Sequence, residues 1–77
     1  MQDYKYFIQI AIKGNLRDYI LQSDFFDTEQ KTVEWASSIS YLTRHCNIRL
    51  MRVEYYKEND RYGDIEFIRY IDILTSR

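Results

Sequence analysis

Tyr4-Lys5-Tyr6-Phe7-Ile8-Gln9-Ile10-Ala11-Ile12 decides the fold. Tyr4, Tyr6, Ile8, Ile10 and Ile12 alternate with Lys5, Phe7, Gln9 and Ala11. That period of two is what a strand needs when one of its faces is buried. Gly14-Asn15 follows and predicts a two-residue hairpin turn, because Gly supplies positive φ at the first turn position. Residues 18–26 then read as a second strand. A turn at Gly14-Asn15 pairs Lys13 with Leu16, Ile10 with Tyr19, Ile8 with Leu21 and Tyr6 with Ser23. On the other face it sets Lys5 opposite Asp24.

Working outward, Asp27-Thr28-Glu29-Gln30 is a helix start: Asp27 is the expected cap, Gln30 the third helical position, and Glu29 suits the positive end of the dipole. Val33, Ala36, Ile39, Leu42 and Cys46 recur every three or four residues and predict the face turned to the sheet. Arg44 and His45 fall in the last turn, with Asn47 as a left-handed stop. Residues 48–56 predict a third strand with Met51, Val53 and Tyr55 on one face. Glu58-Asn59-Asp60 is a turn signal. Residues 64–74 are β-branched enough to favour a strand, although Ile68, Ile71 and Leu74 also fit a helix. A turn at 58–60 pairs Val53 with Ile65, Met51 with Phe67 and, on the opposite face, Arg52 with Glu66.

The expected fold is α+β: a ββαββ chain whose four strands form an antiparallel sheet in the order 2-1-3-4. One helix packs on one face, and a right-handed crossover joins the halves. Residues 1–77 make a single domain. Such a chain buries only about 60% of its extended surface, so each large apolar side chain counts.

One helix shields one face of such a sheet. Assigning Tyr4, Tyr6, Ile8, Ile10, Leu21, Phe25, Met51, Val53, Ile65 and Phe67 to the helix side leaves a second set for the open face. That set is Phe7, Ile20, Leu50, Tyr56, Ile68 and Tyr70, mixed with Lys5, Gln9, Arg52, Glu54 and Glu66. It is richer in large apolar groups than a solvated face needs, and such surface commonly marks an interaction site. Phe7, Ile20, Leu50, Arg52, Tyr56, Ile68 and Tyr70 are therefore the candidate partner-binding residues. Asp24, Asp27, Glu29 and Glu34 form a second candidate, an acidic patch around the helix start. Capping and a solvated helix face account for the same acids.

Composition narrows the function. Eight tyrosines stand against one His, one Cys, two glycines and no proline, with 45% apolar and 30% charged residues and a net charge of −1. Tyr and Arg anchor protein interfaces. His45 and Cys46 are adjacent, but neighbouring helix residues point about 100° apart and do not face each other. No general acid–base pair, phosphate loop or four-ligand metal set is visible, so no catalytic residue, metal or cofactor is expected. Arg44, His45, Arg49 and Arg52 make a local basic cluster, too weak for a nucleic-acid reading to lead. The opening residues lack a signal-peptide pattern, and no apolar run approaches the roughly 18 residues of a membrane span. A cytoplasmic protein with no membrane partner is expected.

The stretch Phe25-Phe26-Asp27-Thr28-Glu29-Gln30 closes a hairpin and opens an amphipathic helix that a second hairpin follows. In this element order the chain resembles small phage-encoded ββαββ proteins, including some anti-CRISPR inhibitors. The resemblance implies a non-enzymatic protein that docks on a larger host protein and blocks it sterically. The alternatives are a nucleic-acid-binding regulator and a self-associating protein that forms a homodimer through the open sheet face.

Overall fold

The computed structural model describes residues 2–12, 21–39 and 46–71. The elements are β1 (Gln2–Ile12), β2 (Leu21–Gln22), α1 (Glu29–Ser38), β3 (Cys46–Tyr56) and β4 (Arg61–Ile71). They form one antiparallel sheet in the order β2-β1-β3-β4, with α1 on one face. This is the ββαββ architecture that the residue pattern predicts.

β3 is central, so it must pair and pack on both sides. It lies antiparallel to β1 over the whole length of both, with Ile8 opposite Leu50 and Phe7 opposite Met51. Its other edge pairs with β4, where Val53 meets Ile65, Met51 meets Phe67 and Arg52 meets Glu66, the predicted register. The turn between them occupies residues 57–60, and Asp60 takes a left-handed φ of 51° there. Asp tolerates that region because its short side chain bonds locally, and here Asp60 Oδ1 accepts from the Tyr55 hydroxyl at 3.0 Å.

The first hairpin departs from expectation. Ile10 pairs with Leu21 rather than Tyr19, and Tyr6 bridges to Phe26 rather than Ser23. At Ile10 this is a slip of two residues, which preserves which side chains share a face, so apolar alternation does not resist it. One further residue is gained before the bridge. Ser23 sits at that irregularity, where its backbone amide donates to the Ile8 carbonyl and its hydroxyl accepts from the Ile8 amide at 2.9 Å. The Gly14-Asn15 turn, Tyr19 and Ile20 lie outside the described residues.

The helix is also shorter than the pattern suggests. Thr28, not Asp27, is its N-cap, accepting from the Lys31 amide at 3.1 Å. Cys46 and Asn47 belong to β3, not to a helix end, because Asn47 pairs with Ala11 in the sheet. Val33, Ala36 and Ile39 do face the sheet; Leu42, Arg44, His45 and Leu74 lie outside the described residues.

The core is in two parts. Ile8, Ile10, Ile48 and Leu50 pack with Ala36 beneath the helix, flanked by Val33, Ile39, Cys46, Ile68 and Ile71. Phe7, Met51 and Val53 form a separate buried cluster on the other face. The expected face assignment therefore holds for β1 and for Tyr70, and fails for Phe25, for β3 and for the rest of β4. Met51, Val53, Ile65 and Phe67 lie on the helix-free face, whereas Leu50 and Ile68 lie under the helix. The physical reason is that β3 is apolar on both faces, so its alternation has no phase to read.

Candidate functional site

Strands β1, β3 and β4 send side chains to the helix-free face, and five of the eleven are rings. β1 contributes Lys5, Phe7 and Gln9. β3 contributes Arg49, Met51, Val53 and Tyr55, which sit directly opposite them or opposite β4. β4 contributes Tyr62, Ile65, Phe67 and Tyr70, opposite Tyr55, Val53, Met51 and Arg49. The segment between β2 and the helix splits its two phenylalanines. Phe26 turns to the helix side against Trp35, with ring centroids 5.7 Å apart. Phe25 crosses to the other side and stacks 5.3 Å from Phe7 and 4.9 Å from Tyr62.

The face is thus a layer of two ring groups, Phe7–Phe25–Tyr62–Tyr55 and Phe67–Tyr70, with Met51, Val53 and Ile65 between them. Phe7, Met51 and Val53 are its buried floor. Tyr55 lies 5.2 Å from Tyr62, and Phe67 lies edge-on to Tyr70 at 5.1 Å. Tilted contacts at these separations suit the ring quadrupoles and hold each ring in place. Phe25, Phe67, Tyr62, Tyr70 and Ile65 remain 38% to 57% exposed. Together they expose more large apolar and aromatic groups than a solvated sheet face needs.

Two cations edge the layer. The Lys5 ammonium stands 5.0 Å from the Tyr55 ring centre, and the Arg49 guanidinium 5.9 Å from that of Phe67. Lys5 also bonds Asp27 at 2.6 Å. That hydrogen bond holds the Asp27 carboxyl below the usual carboxylate range and raises the Lys5 ammonium above its ordinary value. Arg49 donates to the Gln9 side chain directly opposite. Hydrogen bonds to Asp60 and Glu54 raise the phenols of Tyr55 and Tyr56, so both keep their protons at neutral pH.

The structure disperses the predicted partner-binding set. Phe7 and Tyr70 lie on the helix-free face, Phe7 as buried floor and Tyr70 as exposed rim. Leu50 is fully buried under the helix, and Ile68 packs beside it. Arg52 lies on the helix side of the sheet, 4.2 Å over the Tyr4 ring and 2.5 Å from Glu66. Tyr56 pairs with Arg61 at the hairpin and donates to Glu54 on that same side. Ile20 lies outside the described residues. Of the acidic set, Asp27 is bound to Lys5, Glu29 lies 3.5 Å from Arg69, Glu34 accepts from Gln30, and Asp24 is exposed.

Sequence reasoning missed Phe25, Tyr62, Ile65 and Phe67 as surface groups. A signal for them was present. The compact aliphatics Ile8, Ile10, Ile48 and Leu50 suit close approach of a helix bearing Ala36, whereas rings suit a face with no helix over it.

Among the described residues no His, Cys, Asp or Glu group could hold a metal ion, and no helix is long and apolar enough to cross a membrane. Cys46 packs against the helix-side core. No protein-family model matches the chain, and no curated protein or solved structure shows significant similarity to it.

Proposed function

We propose that this chain is a small, non-catalytic interaction module that docks a larger protein against the helix-free face of its sheet and acts by occluding that partner's surface. The observation that carries the reading is the aromatic layer: Tyr62, Phe67 and Tyr70 on β4 and Phe25 beside them stand exposed, each in contact with a neighbouring ring. Rings fixed before binding lose little conformational freedom on docking, which is why such groups become anchors. The element order shared with small phage-encoded inhibitors supports the narrower reading, in which the partner is a host defence protein.

The test is affinity capture from the native cell with nuclease treatment, followed by binding measurements on the captured protein. Phe25→Ala and Phe67→Ala should each weaken that complex by about 1–4 kcal/mol while keeping a cooperative melt. Unchanged affinity in both variants would move the interface elsewhere. A tight, salt-sensitive complex with DNA or RNA would replace the reading with a nucleic-acid one.

A further inference from the structure

β4 closes the sheet order, and among the described residues no strand lies along its outer edge. Eleven residues make a long exposed edge. Natural edges of that kind are usually blunted by charges, bulges or shortness. β4 has charges and irregularities, but they are arranged with a symmetry that blunting does not require.

Counting outward from Glu66, the strand is self-complementary. Ile65 and Phe67 flank it on the helix-free face. Tyr62 and Tyr70 lie four residues to either side, on that same face. Asp64 and Arg69 carry opposite charges on the helix side, where the Asp64 amide donates to Glu54 and Arg69 reaches Glu29. The two register shifts against β3 fall on either side of Arg52, the residue paired with Glu66.

We infer that β4 pairs antiparallel with β4 of a second copy, about a two-fold axis through Glu66 that stands perpendicular to the sheet. Such an axis keeps each face on its own side. In this register Tyr62 meets the second copy's Tyr70, and Ile65 meets its Phe67, so aromatic and β-branched groups face one another across the new ladder. Asp64 meets the second copy's Ile68 and lies one position from its Arg69, which the irregularity opposite Leu50 and Met51 turns to the same face, twice by symmetry. Glu66 meets its own copy at the axis, but each is bonded to Arg52 at 2.5 Å, so the centre is not a bare pair of like charges. The pairing leaves the helix-free face open and joins two aromatic layers into one wider surface. It stands independently of the docking reading.

Sedimentation velocity on the full chain, over a wide concentration range, tests the pairing. The unmodified chain should dimerise reversibly. Arg69→Glu sets acid against Asp64 at two symmetric positions and should raise the dissociation constant about tenfold or more. Asp64→Arg should do the same, and the double variant Asp64→Arg/Arg69→Glu should restore the dimer. Should a charge-reversed variant fail to melt cooperatively, hydrogen exchange on the unmodified chain decides instead. Protection that grows with concentration and is confined to β4 supports the pairing; uniform or unchanged protection overturns it. A monomer at every concentration overturns it, as does a dimer indifferent to both single reversals. A dimer lost in Phe25→Ala but kept in Arg69→Glu overturns it too, since Phe25 lies on the helix-free face and off β4. Because Arg69→Glu leaves the aromatic layer untouched, loss of the dimer and loss of partner docking are read separately.

Discussion

On the helix side of the sheet, Ile8, Ile10, Ile48 and Leu50 meet Ala36, and short aliphatic side chains exclude water beneath a ten-residue helix. On the other side Phe7, Met51 and Val53 are buried just as completely, with no helix of the described residues over them. Their cover is made of side chains: Phe25 lies across Phe7, and Tyr62 lies against Phe25. The difference teaches that a ring can serve as lid and surface at once. One side of Phe25 excludes water from the floor, while the other remains free to meet a partner. A helix also covers its core, but it turns a polar back to solvent, as Lys31 and Glu34 do here.

The strongest way to break this comparison is to empty each core in turn. Leu50→Ala should cost about 2–5 kcal/mol and Phe7→Ala about 3–5 kcal/mol, because both side chains are fully buried. Denaturant unfolding of the two variants checks this. A cost below about 1 kcal/mol for Phe7→Ala would mean that the aromatic side is surface alone, and that Phe25 refills the space without loss.

A smaller effect sharpens the contrast from the helix side. Thr28→Ala removes the side-chain acceptor that holds the Lys31 amide, and caps of this type are worth about 0.5–2 kcal/mol. Trp35 packs on Phe26 on the helix side, so its fluorescence should report the loosening. Near-ultraviolet signals from the tyrosines of the other face should hold. Equal changes in both would show that the two faces melt as one unit under mild destabilisation.

These two faces also differ in how legible they were. The middle of the β3–β4 register could be read because Arg52 opposite Glu66 and Val53 opposite Ile65 satisfy charge and apolar matching together; the turn at residues 57–60, which pairs Tyr56 with Arg61, sets the strands one residue off, and the shift between Val53 and Tyr55 restores the match. Strand order followed from the single crossover. The face of β3 could not be read, since Ile48 and Leu50 at even positions are as apolar as Met51 and Val53 at odd ones. An open face rich in apolar groups was therefore expected with Phe7 and Tyr70 on it, but with Leu50 and Ile68 in place of Phe25 and Phe67. At Ile10 the first hairpin slipped by two, which conserves the faces; the one residue gained before the Tyr6–Phe26 bridge then moves Phe25 to the helix-free side. The Ser23 hydroxyl that accommodates the irregularity is a local contact that no periodicity announces.

The smallest expected effect lies at the seam between the faces. Lys5 projects to the aromatic side, where its ammonium stands over Tyr55, and it bonds Asp27, which directly precedes the helix cap. The hydrogen bond to Lys5 depresses the Asp27 carboxyl, so its contribution to stability is present above the ordinary carboxylate pKa. It is lost as pH falls through the lower, folded value. The bond to Asp27 raises Lys5, so that contribution is complete below the ordinary ammonium pKa and is lost as pH rises through the higher, folded value. Between these limits the pair is intact. Asp27→Asn should then melt slightly lower than the unmodified chain at neutral pH, and the gap should close on acidification below about pH 4, as the native carboxyl becomes protonated. Both groups are in contact with water, so the gap at neutral pH should also shrink as salt is added. A gap that persists in strong acid would mean that Asp27 acts through its shape or its backbone. The two faces would then be joined at this point by packing, with no dependence on the charge of the pair.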